Sequence, residues 1–365
     1  MAVPFADLQL QYQTIKNEID AAIAGVIGDN AFIRGAYVDD FEREFAKAVS
    51  VRHCVSCANG TDALYLAMAA LKLKPGDEVI TTAHSWISTS AMITHAGATV
   101  RFCDTDGVTF TIDPAAIEEA ITPRTVGIIP VHLYGQPADM DAIMAIASKH
   151  SLWVIEDCAQ AHLARYKGQM VGTFGVAATY SFYPGKNLGG MGDGGAVVTN
   201  DEALAEWVTM LARHGGLVKH QHHIEGINSR LDGMQAAILS AKLPHLAGWT
   251  KARQSAAAFY DAALKQVNDV QVPQVLPGRD HVYHLYTIKH ARRDALAKCL
   301  NAKGIQTSIN YPTALPFLPA YRRFEHTVEQ FPHACADQTS ILSLPMFAEI
   351  SRAQQEEVVR AIREF

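Results

Sequence analysis

The chain has 365 residues, 49% hydrophobic and 19% charged, enough for about two domains around a well-buried core. A formal net charge of −6 at pH 7 gives no basic footprint, which argues against a nucleic-acid partner. No apolar run reaches membrane-spanning length, and Met1-Ala2-Val3-Pro4-Phe5-Ala6-Asp7 lacks a charged-then-apolar export pattern, so a cytoplasmic protein without a membrane partner is expected.

Ile15, Ile19, Ala22, Ile23 and Val26 recur at helical spacing over 14–27, and the period resumes over 38–49. Strand-like runs follow at 78–81, 99–103, 126–132, 152–156, 178–182 and 196–199. Helical runs fill the gaps at 62–72, 86–96, 114–121, 139–150 and 202–213. Alternation on this scale implies an α/β fold with a mainly parallel sheet covered on both faces. One more helix is expected at 231–243, with Pro244 near its end. Beyond about residue 250 the texture changes to a helix at 251–266, a strand around 282–289, a helix at 292–303 and a strand at 305–309. A proline-rich loop from Tyr311 to Pro319 and a final helix at 351–363 complete the chain. These describe a large domain over 1–245 and a smaller C-terminal α+β domain over 246–365.

Two clusters have metal-like spacing. Cys54-Val55-Ser56-Cys57 supplies two of the four ligands a structural zinc needs, with no second pair at a matching distance. His220, His222 and His223 have no periodic element to fix their geometry and read as a solvated loop. No metal is expected, and the six cysteines read as reduced and mostly buried.

In sheets of this kind ligands gather beyond the carboxyl ends of the strands. Asn59-Gly60-Thr61-Asp62 opens a helix there, where glycine and free backbone N–H groups offer an anion site. Asp157 ends the run Leu152 to Glu156. Lys186 follows the run ending at Phe182, held between a Pro184-Gly185 turn and a glycine-rich loop, a setting that lowers an amine's pKa. Anion cradle, carboxylate and lysine suit a phosphorylated, protonated heterocycle that forms a Schiff base, and pyridoxal phosphate has those properties. Gly190-Met191-Gly192-Asp193-Gly194-Gly195 also fits the dinucleotide pattern G-x-G-x-x-G, but it runs into the strand-like Ala196-Val197-Val198 and not into a helix. The helix N-terminus that would bind a pyrophosphate is missing, so nicotinamide chemistry is rejected.

The chain resembles the sugar-nucleotide aminotransferases of the DegT/DnrJ/EryC1/StrS group. The resemblance rests on Asn59-Gly60-Thr61-Asp62-Ala63-Leu64, Glu156-Asp157-Cys158-Ala159-Gln160-Ala161-His162, Ser181-Phe182-Tyr183-Pro184-Gly185-Lys186-Asn187-Leu188-Gly189, Gly192-Asp193-Gly194-Gly195 and Asn228-Ser229-Arg230-Leu231-Asp232, in family order. It implies the type I, aspartate aminotransferase-like fold with a seven-stranded sheet. It further implies pyridoxal 5′-phosphate as cofactor, alternating with pyridoxamine 5′-phosphate. By the same resemblance Lys186 is the Schiff-base lysine and proton shuttle, Asp157 pairs with the pyridinium nitrogen, and Gln160 bonds the ring O3′. Gly60, Thr61 and Ser181 hold the phosphate, and Trp86 stacks on the ring. Asn228 reaches the phosphate of a neighbouring subunit, which implies a homodimer with shared sites.

The family's substrate loop usually reads His-Tyr-Pro followed by a proline and a histidine. Here it reads Asn310-Tyr311-Pro312 and then Leu315-Pro316, which leaves Tyr311 as the substrate candidate. Dehydratase-like members replace the lysine with histidine, and members acting on 4-keto sugars tend to carry tyrosine where Ser229 stands. The expected activity is transfer of an amino group, from glutamate, to a nucleotide-linked keto sugar, 3-keto over 4-keto. The alternative is a binding or regulatory protein that kept the fold and lost catalysis.

Overall fold

The computed structural model describes residues 2–365. Asp7 caps α1 (Leu8–Thr14) by accepting the Leu10 N–H. The chain breaks at Ile15 (φ −131°) and continues as α2 (Lys16–Gly28), so the single helix expected at 14–27 is a kinked pair. Next come α3 (Ala36–Ala48), β1 (His53–Cys57), α4 (Gly60–Ala70), β2 (Glu78–Thr82), α5 (Ser88–His95), β3 (Thr99–Cys103), α6 (Pro114–Ala120) and β4 (Thr125–Ile129). β4 is shorter than the run 126–132 because Pro130 has no N–H for the ladder. Then follow α7 (Met140–His150), β5 (Trp153–Asp157), the two-residue strands β6 (Arg165–Tyr166) and β7 (Gln169–Met170), β8 (Ala177–Ser181), β9 (Gly195–Thr199), α8 (Glu202–Ala212) and α9 (Gly233–Lys242).

Among the described residues seven strands form the main sheet, in the order β1-β9-β8-β5-β4-β2-β3. β9 runs antiparallel to both neighbours, and the other pairs are parallel. Strands β2 and β9 are buried along their whole length, as a sheet covered on both faces requires. Leu66 and Met68 of α4 and Val208 of α8 pack with Ile155 and Val197 in one cluster. Phe41 and Phe45 of α3 and Leu239 of α9 pack with Tyr180 and Phe182 in another. Phe45 meets Tyr180 and Phe182 edge-on at 5.0 and 5.1 Å between ring centroids. Truncating such a buried phenylalanine costs about 3–5 kcal/mol.

β1 is where the sequence reading put a cysteine pair and no strand. Cys54 and Cys57 are buried β-ladder residues, with Cys54 opposite Val198 and Cys57 opposite Gly195. Because β1 is antiparallel to β9, it points the same way as β8, β5, β4, β2 and β3. The carboxyl ends of all six, and the start of β9, therefore lie along one edge.

The remaining chain gives α10 (Leu246–Leu264), β10 (Val270–Gln271), β11 (Arg279–Asp280), β12 (Tyr286–His290), α11 (Arg293–Ala302), α12 (Pro332–Ser340), β13 (Ile341–Leu344) and α13 (Arg352–Arg363). β10, β12 and β13 make an antiparallel sheet, while β11 pairs with β6. β12 starts four residues later than expected, since Arg253 takes the carbonyls of Tyr283 and His284 for its own hydrogen bonds. The strand expected at 305–309 is absent. Ile305 and Ser308 form single bridges to Val3 and Ser343, and β13 is the strand that lies beside β12. The histidines at 220, 222 and 223 lie in an exposed loop, as expected.

Candidate active site

Every expected site residue except Asn228 and Tyr311 lies at or just beyond the shared strand edge. Asp157 is the last residue of β5 and only 4% exposed. Its Oδ2 accepts the Thr89 hydroxyl at 2.8 Å and its Oδ1 accepts the Ala159 N–H at 3.1 Å. Burial pushes its carboxyl up, against the lowering pull of those two donors. A buried carboxylate with two neutral donors is an acceptor for a cation.

Lys186 sits in the turn that leaves β8, closed by its own N–H donating to the Tyr183 carbonyl at 2.8 Å. Burial pulls its amine down from 10.5 to about 8, with the Asp157 charge working in the opposite direction. Part of the population is therefore neutral and nucleophilic near pH 7.

The Gln160 amide is held at both ends. Its Oε1 accepts the Tyr134 N–H at 2.6 Å and its Nε2 donates to the Tyr311 hydroxyl at 3.1 Å, leaving one N–H free. Tyr311 is placed in turn by His84, whose Nε2 lies 3.0 and 3.1 Å from the Tyr311 carbonyl and amide. The ring of Trp86, 56% exposed, lies 5.5 Å from that of Tyr311. The two aromatic rings thus stand at the mouth of the site.

At the opposite side Asn59 caps α4, accepting the Asp62 N–H at 2.8 Å. The N–H groups of Gly60 and Thr61 are free by their position in the first turn. A Cβ on Gly60 would sit 2.6 Å from the Ser181 Cβ, and one on Gly195 would sit 2.3 Å from the Asn59 carbonyl. Glycine is required at both places for helix and strands to approach this closely. The Thr61 and Ser88 hydroxyls are 2.7 Å apart. Ser229, fully buried, donates to Asp62 Oδ2 at 2.6 Å and accepts the Ala58 N–H at 3.1 Å, bracing the cradle from beneath.

Asn228 is not brought into this constellation. It is exposed, its backbone bridged to Arg213. Sequence reading missed Thr89, Tyr134 and His84. Thr89 had a signal, a hydroxyl in the first turn of the helix that follows Trp86; Tyr134 acts through its backbone N–H, which leaves no residue-type signature, and His84 acts through its ring on the backbone of Tyr311, remote in sequence.

Residues 13–363 match the model of the DegT/DnrJ/EryC1/StrS aminotransferase family. A protein of Geobacillus stearothermophilus named pleiotropic regulatory protein is 48% identical over 100% of this chain and 99% of its own. The UDP-N-acetyl-3-dehydro-alpha-D-glucosamine 3-aminotransferase of Acidithiobacillus ferrooxidans is 44% identical over 99% of this chain and 97% of its own. The crystal structure of S. venezuelae DesV in complex with a ketimine intermediate superposes with a TM-score of 0.97 at 43% identity, covering 100% of this chain and 98% of that one. Fold and site define a type I enzyme whose cofactor is pyridoxal phosphate. The chain belongs to the DegT/DnrJ/EryC1/StrS aminotransferase family.

The cradle fits that cofactor. Free N–H groups at the start of α4 and the Ser181 hydroxyl suit its phosphate, the buried Asp157 suits its ring cation, and exposed Trp86 suits its ring face.

Proposed function

We propose that the protein moves an amino group from glutamate to the 3-keto group of a sugar linked to a nucleoside diphosphate, in the cytoplasm, to build amino sugars for surface polysaccharides or glycosylated natural products. When bound, the cofactor supplies the electron sink that neither substrate has. Lys186 carries protons to and from the reacting carbon, which its lowered amine suits at neutral pH. Asp157 keeps a positive charge on the ring nitrogen, and Gln160 offers its free N–H to the ring oxygen. Gly60, Thr61 and Ser181 hold the phosphate, Trp86 covers the ring, and Tyr311 faces the substrate side.

The observation that carries this reading is the joint placement of Lys186 and Asp157, an amine lowered by burial and a buried carboxylate whose charge acts upon it. A regulatory protein that had lost catalysis would have no need of that pairing. The preference for a 3-keto sugar is supported by Ser229, which stands where 4-keto members of the family tend to carry tyrosine and is fully buried against Asp62, and by the 3-dehydro substrate in the name of the Acidithiobacillus relative. Incubation with glutamate and a panel of 3-keto and 4-keto nucleotide sugars tests it: 3-amino products are expected, and 4-amino products alone contradict it.

The same reading places the division between large and small domains near residue 246, where α10 begins, and makes the active unit a homodimer. Exposed Asn228 would reach the phosphate held by the partner. Mixed Lys186→Ala and Asn228→Ala subunits should regain activity well above either parent once they exchange. With Asn228→Ala itself severely impaired, no recovery after demonstrated exchange would mean that Asn228 acts within its own subunit or not at all.

A further inference from the structure

Lys242 is the last residue of α9 and is 4% exposed. The chain runs on in helical dihedrals through Leu243 into α10, and a helical lysine ordinarily keeps its ammonium in water. This one turns inward, and its Nζ donates at 2.7 Å to the carbonyl of Gly189, three residues past Lys186. Its shift is downward, to about 8, caused by burial and opposed by the charge of Glu349. Burying an ammonium without a carboxylate at contact distance is costly, so the contact it makes is the place to look for its use.

The segment that receives it is pinned at other points too. Asn187 Nδ2 donates to the Val282 carbonyl at 3.0 Å, and the Met191 N–H donates to Gln235 Oε1 of α9 at 2.7 Å. The Gly190 N–H donates to the Phe182 carbonyl at 2.8 Å. Gly189 folds back so tightly that a Cβ there would lie 2.3 Å from the Pro184 carbonyl oxygen. The glycines leave this loop little rigidity of its own, and α9 adds to it from one side through Gln235 and Lys242.

We propose that Lys242 is a positioning residue for the reaction: its ammonium, through the Gly189 carbonyl, fixes the loop that aims Lys186 at the reacting carbon. The proposal rests on the reading of Lys186 as the reactive lysine. A displacement of about 1 Å in a reacting group costs up to about a hundredfold in rate. Removing the donor should therefore act on turnover more than on substrate binding.

The test is Lys242→Met in the holoenzyme, with Lys242→Gln in its place should the methionine variant fail to fold, and Lys242→Arg as the conservative partner. The expected result is a kcat lower by about tenfold or more with KM for glutamate within about twofold of wild type. Hydrogen exchange should accelerate at the amides of 186–191 and stay unchanged in β8, and Lys242→Arg should recover most of both. Turnover and loop exchange equal to wild type would overturn the proposal. So would faster exchange spread equally through β8, which marks general loosening. Borohydride trapping on each variant separates the two readings: a label on a lysine other than Lys186 defeats the underlying assignment, whereas a label on Lys186 with normal turnover defeats only the role of Lys242.

Discussion

The Gln160 side chain donates to the Tyr311 hydroxyl at 3.1 Å, joining the turn after β5 to the proline-rich loop that follows α11. Because Gln160 Oε1 is already taken by the Tyr134 N–H, the amide has one orientation, with a single N–H left for a ligand. Tyr311→Phe removes the acceptor and leaves that amide held at one end only, by the Tyr134 N–H. A neutral hydrogen bond contributes about 0.5–1.5 kcal/mol, so cofactor affinity should fall by about two- to tenfold, measured by absorbance titration of the apoenzyme. An unchanged affinity would mean that Tyr311 does not order Gln160.

Asp157→Asn keeps the shape and removes the charge, with Oδ1 still able to accept the Ala159 N–H and the new NH2 donating to the Thr89 hydroxyl in place of accepting from it. Loss of a charge aimed at the reacting ring costs a few kcal/mol, so turnover should drop at least about a hundredfold. Steady-state kinetics with glutamate would measure it, and near-normal turnover would remove Asp157 from its role.

Lys186 fixes the sign of a pH effect. Its amine is lowered by burial to about 8 from 10.5, and only the neutral form attacks a carbonyl. Capture of pyridoxal phosphate by the apoenzyme should therefore rise with pH and level off a little above pH 8. Between about 8 and 10.5 the unfolded chain holds a proton that the folded lysine has released. This group's contribution to apoenzyme stability should then grow with pH across that window. A capture rate still climbing tenfold per pH unit at pH 10 would contradict the lowered amine.

Gly195→Ala would push a methyl group to 2.3 Å from the Asn59 carbonyl, where the phosphate cradle is built. Overpacking of this kind costs about 1–3 kcal/mol, so a lower Tm and a cofactor affinity weakened by about tenfold or more are expected. An unaltered melting curve in the apoenzyme would mean the cradle gives way more easily than its packing suggests.

The sheet was legible where apolar runs alternate with helical periods, because buried parallel strands carry their own signature. β1 was not: Cys54, Ser56 and Cys57 lack the β-branched pattern, and the strand exists only through pairing with β9, remote in sequence. β13 was hidden for a similar reason, being four residues directly abutting α12. The site was legible as single residues at strand ends, Asp157 and Lys186 above all. What sequence could not show is which distant chain orders them, as His84 orders Tyr311 and Tyr134 orders Gln160. Lys242 had left a trace, a lysine on the face that buries Ala236 and Leu239.

Borohydride reduction of the holoenzyme, followed by peptide mapping, tests the central claim most directly. The account predicts one cofactor mass fixed to the peptide carrying Lys186, and neither label nor glutamate turnover in Lys186→Ala; a label on any other lysine, or a Lys186→Ala variant that still turns over glutamate, would contradict it.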